Sequence, residues 1–322
     1  MRKIIAIGES VLDTVFSNGQ PQRSFVGGRI ANAVASLGAI GLPAFMVSEC
    51  GADNVGNIVV DFLTSHNVDV KSVDRFTEGT TAFSAIFDQN GDDRAHGIVN
   101  YGQYPDDRFN VVWPRIDEGD IMLIGSLYAI DLPQREKLFE LVSYAAERKA
   151  TIIYLPGFQH GINFRITRVM PNILENLEIA DIVIAHNRDI NDIFPGESGE
   201  MAFRNHIEFY CPNYLHINPD LSVTLFSTGK KTEARNDADP SINLLGWQAG
   251  FTAGLIYELC RLDVDREALK SLDADTWQQI TATAFDFARH CAAQPLNCVS
   301  ANYAAKRQTE LAEAESKRQG AE

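Results

Sequence analysis

Two kinds of hydrophobic pattern alternate along this chain. Short continuous apolar runs occur at Lys3 to Gly8, Leu42 to Ser48, Asp120 to Gly125, Thr151 to Leu155 and Asp181 to Ala185. Unbroken apolar character over so few residues suits strands covered on both faces, as in a parallel sheet. Between the runs, apolar residues recur at helical spacing: Ile30, Val34 and Leu37; Val55, Ile58, Val59, Phe62 and Leu63; Leu138, Leu141, Val142 and Ala145. Each set falls on one helix face. Strand alternating with helix predicts βαβ units, hence an α/β fold with a mainly parallel central sheet flanked by helices.

Two stretches break that rhythm. Val11 to Phe25 and Thr80 to Asn100 carry β-type residues with no helix between them, and Gln89-Asn90-Gly91-Asp92 holds an Asn-Gly hairpin signal. Their strands do not fit a parallel sheet and predict a small antiparallel β flap, or lid, from about 11–25 and 80–100. The rest of 1–303 reads as one domain. Past Tyr303, Ala, Glu, Lys, Arg and Gln dominate, and 304–322 reads as a charged tail, a solvated helix or disordered, without chemistry of its own.

Composition narrows the partners. Asp and Glu outnumber Lys and Arg 43 to 28 in 322 residues, a formal net charge of −15. Nucleic acid and anionic membranes need a basic face, so neither is expected as the main partner. No apolar run approaches the about 18 residues of a membrane span. Met1-Arg2-Lys3 precedes only Ile4-Ile5-Ala6-Ile7, too short for a signal peptide, so a cytoplasmic location is expected. Five cysteines without a CxxC pair read as free thiols. His160, His186 and His216 lack metal-ligand spacing, and no metal site is expected among them.

Three segments could carry chemistry. In the first, Gly27 and Gly28 precede a helix rich in small residues, with Asn32 one turn in and Asp13 upstream. Glycine admits a ligand to the backbone, and a helix start supplies free N–H groups. A carboxylate such as Asp13 accepts two sugar hydroxyls at once. Taken singly, the glycines also suit a plain turn and Asp13 a cap. The second segment is Gly51-Ala52-Asp53-Asn54-Val55-Gly56, where Asp53 reads as a helix cap. The third, Leu245-Gly246-Trp247-Gln248-Ala249-Gly250-Phe251-Thr252-Ala253-Gly254-Leu255, opens a helix whose small residues also suit tight core packing.

In their order and spacing these segments resemble the ribokinase family of carbohydrate kinases, also called the PfkB family. The matching positions are Asp13, Gly27, Gly28 and Asn32, then Gly51, Asp53 and Gly56 with the turn Asn67-Val68-Asp69, the hairpin Asn90-Gly91-Asp92-Asp93-Arg94, and the late Ala253-Gly254-Leu255. The resemblance spans residues 3 to about 303. It implies a ribokinase-like sheet with a β flap closing over a sugar held by Asp13, Gly27, Gly28 and Asn32. It also implies ATP and Mg²⁺ as the cofactors of an active member, and a flap whose exposed edges suit a homodimer.

The departures cluster on the nucleotide side. The family's late signature, Asp-Thr-x-Gly-Ala-Gly-Asp, provides a backbone nest for the transferred phosphoryl group and a final Asp as general base. Here the stretch is Asn243-Leu244-Leu245-Gly246-Trp247-Gln248-Ala249. Ala249 accepts no proton, and Trp247 and Gln248 are expected to put bulk into the nest. Loss of a positioned base costs about 10²–10⁴ in rate. The family's Asn-x-x-Glu, tied to Mg²⁺ and phosphate, would start at Asn187 but reaches Ile190, with Asp189 one place early. Asp-Pro-Asn-x-Arg is replaced by Leu155-Pro156-Gly157-Phe158-Gln159, and Thr-x-Gly-x-x-Gly has no counterpart between His216 and Thr228. Asp237 and Asp239 read as a solvated loop, and Glu258 lies about 13 Å further along the helix, so none replaces the base. A pseudokinase that binds a sugar-like ligand is the reading these losses favour. An active sugar kinase with an unusual base and a non-catalytic protein scaffold are the alternatives.

Overall fold

The computed structural model describes residues 1–88, 99–158, 165–227, 229–235 and 244–320. A nine-stranded sheet forms the centre. Its strands are β1 (Ile4–Ile7), β4 (Ala44–Gly51), β5 (Val68–Phe76), β8 (Ile121–Gly125), β9 (Thr151–Leu155), β10 (Ile182–His186), β11 (Tyr214–Ile217), β12 (Val223–Ser227) and β13 (Lys230–Ala234). The order is β13-β12-β11-β10-β9-β8-β1-β4-β5. All neighbours are parallel except the β11–β12 and β12–β13 pairs at one edge. A second sheet of β2 (Val11–Ser17), β3 (Gln20–Gly27), β6 (Thr80–Asp88) and β7 (Val99–Gln103) has the order β3-β2-β6-β7. This is the flap. The Asn90-Gly91 turn, and with it the Asp92-Asp93-Arg94 motif, lies outside the described residues.

The five apolar runs are β1, β4, β8, β9 and β10, and their residues split between two cores. Ile4, Ala6, Met46, Ile121 and Leu123 face one layer, while Ile5, Ile7, Val47, Met122 and Ile124 face the other. Period-two alternation with both faces buried explains why these strands read as continuous apolar runs. The first layer holds α1 (Arg29–Ala39), α2 (Asn54–Ser65), α7 (Leu244–Leu262), α8 (Ala274–Ala292) and α9 (Ala301–Gln319). The second holds α3 (Arg135–Glu147), α4 (Ile166–Ile179), α5 (Asn187–Ile193) and α6 (Gly199–Ala202).

Three features extend the sequence reading. The charged tail forms most of α9 and is docked: Ala304 and Leu311 are buried in the first core. Arg307 pairs with Asp286 and with Glu310 at 2.7 Å. Asn67 adopts a left-handed φ of 59°, as a turn residue does, but Val68 then starts β5. In α7, Gly246, Gly250 and Gly254 form a stripe against α8. A Cβ at any of them would come within 2.7 Å of Cys291 O, Phe287 O or Ala284 Cα. Tight core packing, the plainer reading of this segment, therefore holds for its glycines.

Candidate functional site

The chain runs from β1 to β4 and β5 in one direction, then returns to lay β8 to β11 on the other side of β1. The order reverses between β1 and β8. In open α/β sheets such a switch point leaves a crevice beyond the carboxyl ends of the strands, where ligands bind. Gly8-Glu9-Ser10 follows β1 here, Ser126 follows β8, Pro156 and Gly157 follow β9, and α5 follows β10.

On the β1 side the structure brings the four sequence-predicted residues together. Asp13 sits in β2, opposite Phe25 of β3 and beside Ser84 of β6, at the root of the flap. Gly27 must lack a side chain, because a Cβ would lie 2.0 Å from Asp13 Oδ2. Gly28 is the N-cap of α1 at φ 100°, a region that suits glycine. Its carbonyl accepts from the Asn32 N–H at 3.0 Å. Asn32 is 3% exposed.

The electrostatics there are unusual. Burial pushes the Asp13 carboxyl up to about 7, nearby Glu9 adds to the rise, and a hydrogen bond from Ser84 opposes it. Burial also raises Glu9, against the attraction of Arg29. Glu9 Oε2, Ser10 Oγ and Asn32 Oδ1 are buried with no hydrogen-bond partner among the described residues. Buried polar atoms nearly always have partners. Glu9 and Ser10 follow β1 and Asn32 lies one turn into α1, so these three exceptions fall beside Asp13, Gly27 and Gly28 in the chain. Neither Glu9 nor Ser10 stood out in the sequence.

The nucleotide side differs. Asn187 opens α5, and the next acid, Asp189, is already engaged: its Oδ2 accepts from Arg29 Nη1 at 2.8 Å and from the His186 N–H at 3.2 Å. Ile190 is buried and apolar. Burial lowers the His186 pKa against the pull of Asp189. The imidazole accepts from the Arg188 N–H at 3.1 Å, which caps α5. Among the described residues no group of three His, Cys, Asp or Glu side chains is placed to hold a metal.

At the start of α7 the expected obstruction takes another form. Trp247 packs into the core between α7 and α8. Its ring is fully buried, stacked on Phe251 at 5.3 Å and near Phe285 of α8 at 6.2 Å. Aromatic neighbours one turn on and across the helix pair draw it inward, although its Nε1 finds no partner among the described residues. Gln248 is half-buried and Ala249 fully buried. Leu245 faces the flap and packs against its apolar underside of Val15, Phe25 and Ile86. The sequence reading named Trp247 and missed Leu245. Glu258 is buried and bound to Arg261 and Gln279, while Asp237, Asp239 and Asn243 lie outside the described residues. A cavity of about 450 Å³ between the β12–β13 hairpin and α8, lined by Thr232, Arg235, Gln278, Thr281 and Phe285 among others, contains none of the predicted site residues.

No described helix is long and apolar enough to cross a membrane, and all five cysteines are free and buried. No curated protein matches the sequence. Solved structures do match in fold. Aminoimidazole riboside kinase from Salmonella enterica, complexed with aminoimidazole riboside and an ATP analogue, has a TM-score of 0.77 at 14% identity, covering 96% of this chain and 100% of its own. Fructokinase from Vibrio cholerae O395, with fructose, ADP and calcium ion, has a TM-score of 0.74 at 15% identity, with 94% and 97% covered. Fructokinase from Xylella fastidiosa with bound ATP gives 0.68 at 15%, with 99% and 98% covered. The family model described as pfkB family carbohydrate kinase matches residues 1–203, ending before α7. On that match, with the β1 crevice and flap described above, the chain belongs to the pfkB family of carbohydrate kinases.

Proposed function

We propose that this protein is a pfkB-family member that binds a sugar-like ligand at the end of β1 and no longer supports efficient ATP-dependent phosphoryl transfer. One observation carries the reading. The first turns of α7, where the family places its nest and base, hold a fully buried methyl at Ala249 and an apolar Leu245 tucked under the flap. A methyl group takes no proton from a sugar hydroxyl, and loss of a positioned base alone costs about 10²–10⁴ in rate.

The ligand half of the proposal rests on the orphaned atoms. Glu9 Oε2 and Asn32 Oδ1 are acceptors, and the Ser10 hydroxyl both donates and accepts. A polyhydroxyl ligand supplies donors to all three. Asp13, buried beside Gly27, would take two further hydroxyls from the flap side. The relatives' bound molecules, aminoimidazole riboside and fructose, are of that class.

The residues present also bear on the family's metal. Asp189 is committed to Arg29 and to its helix cap, and position 190 is a buried isoleucine. The residues do not fit a divalent cation, so no step is derived through one.

An active kinase with an unusual base is favoured by one observation, the Asp13 carboxyl pushed to about 7, a value suited to general-base work near neutrality. ADP release separates the two readings. Across a panel of pentoses, hexoses and nucleosides, the wild-type protein is expected to release no ADP above background from Mg-ATP. Ala249→Asp alone is expected to restore none, because Leu245 and the Arg29–Asp189 pair remain. Turnover by the wild type that Asp13→Asn abolishes would establish the active reading instead.

A further inference from the structure

We infer that Arg29 is a built-in counter-ion occupying the nucleotide side of the crevice, so that the pocket excludes a divalent cation at Asp189. This deepens the binding reading and rests on it. Arg29 is the first residue of α1, on the sugar side, yet its side chain crosses the switch point. Nη1 donates to Asp189 Oδ2 at 2.8 Å and Nη2 to Pro156 O at 3.1 Å, while Nε and Nη2 both lie 3.4 Å from Ser126 Oγ. One guanidinium thus spans the carboxyl ends of β8, β9 and β10, where the phosphate-bearing part of a nucleotide would approach a sugar held at Asp13 and Asn32.

Two local features fit this placement. A Cβ at Gly157 would lie 2.9 Å from both Arg29 Nη2 and Ser126 Cα. Glycine at the position where the family carries Asn therefore leaves room for the Ser126 backbone and for the guanidinium beside it. Ser126, which meets Arg29 with its hydroxyl, holds φ 61° and ψ −160°. Non-glycine residues persist in such a conformation only where their surroundings over-determine it. A buried ion pair is weak evidence for stability as such, so this pair asks for another reason. A cation approaching Asp189 meets a carboxylate already neutralised, with a like charge 2.8 Å from the oxygen it would bind. With the two side chains 16% and 15% exposed, water screens that repulsion only in part.

Mn²⁺ is the probe, followed by electron paramagnetic resonance without nucleotide, on wild type, Arg29→Met, Asp189→Asn and the double variant, each checked for fold by circular dichroism. Arg29→Met is expected to bind Mn²⁺ at least ten-fold more tightly than wild type, and the double variant to lose that gain. Asp189→Asn alone is expected to leave the wild-type titration unchanged. Arg29→Gln, which keeps donors for Ser126 and Pro156, guards against loss of the fold and is expected to show the same gain. A folded Arg29→Met or Arg29→Gln with no gain, a gain that survives in the double variant, or weaker Mn²⁺ binding in Asp189→Asn would each overturn the assignment. ADP release by the wild type would sink the binding reading and leave Arg29 to be judged by these titrations.

Discussion

After β1 and in the first turn of α1, three buried polar atoms lack partners among the described residues; at the first turns of α7, apolar side chains find one another. Glu9, Ser10 and Asn32 keep buried atoms unpaired, whereas Trp247, Phe251 and Phe285 stack together and Leu245 closes on Val15, Phe25 and Ile86. Unpaired buried polar atoms cost free energy, and a fold tolerates them where a ligand satisfies them. Apolar packing stabilises the protein without a ligand. The two regions therefore differ in degree: three unpaired polar atoms gather after β1 and in α1, against the single Trp247 Nε1 within an otherwise apolar cluster at α7.

If that contrast holds, substitutions in the two regions should separate stability from ligand response. The largest effect is expected at Trp247. Trp247→Ala removes a fully buried ring and should cost about 3–5 kcal/mol in denaturant unfolding, while the folded fraction keeps its stabilisation by sugar. Loss of the sugar response without loss of stability would place Trp247 in the site.

The second effect is set by pH. The folded-state pKa of Asp13, about 7, lies above its ordinary value of 3.8. The folded protein therefore holds this proton more tightly than the unfolded chain. The stability Asp13 contributes is complete below about pH 4 and is lost as pH rises to about 7, by about 1.4 kcal/mol per unit in that window. His216, lowered to about 4 by burial, acts with the opposite sign: its contribution is present above its ordinary value of 6.5 and lost as pH falls toward 4. The difference between wild type and Asp13→Asn isolates the carboxyl. The variant should gain on wild type from pH 4 to 7, and a flat difference would show that Asp13 is not held in an apolar setting.

The smallest stability change is expected at Asn32. Its Oδ1 has no partner among the described residues, so Asn32→Ala should alter the stability of the free protein by less than about 1 kcal/mol. The same change should abolish the rise in melting temperature produced by sugar. A large loss of stability would mean that the amide serves the fold.

Much of this contrast was legible in the sequence, for identifiable reasons. The strands β1, β4, β8, β9 and β10 are buried on both faces and announce themselves as apolar runs. β5 reads VDVKSVDRF, charged and irregular, because it is an edge strand; its burial is partial, and the reading stopped at the turn before it. The short buried strands β11 and β12 and the exposed edge strand β13 likewise went unread. The motif residues Asp13, Gly27, Gly28 and Asn32 are local in sequence, and the structure places them together. Arg29 was missed because its meaning is distributed: a long cation among small residues at 29, a glycine at 157 and an acid displaced to 189 make sense only once three strand ends meet. The core packing of Trp247 was not legible because rotation about a helix axis is not written in a one-dimensional pattern. Its partner Phe285 lies on another helix.

Isothermal titration calorimetry of the wild-type protein, against a panel of sugars and against Mg²⁺ with a non-hydrolysable ATP analogue, tests the central claim most directly. The account predicts saturable heat from at least one polyhydroxyl ligand, abolished by Asn32→Ala, and no saturable heat from the nucleotide with or without that ligand. Tight binding of the Mg²⁺-nucleotide, strengthened by sugar, would contradict it.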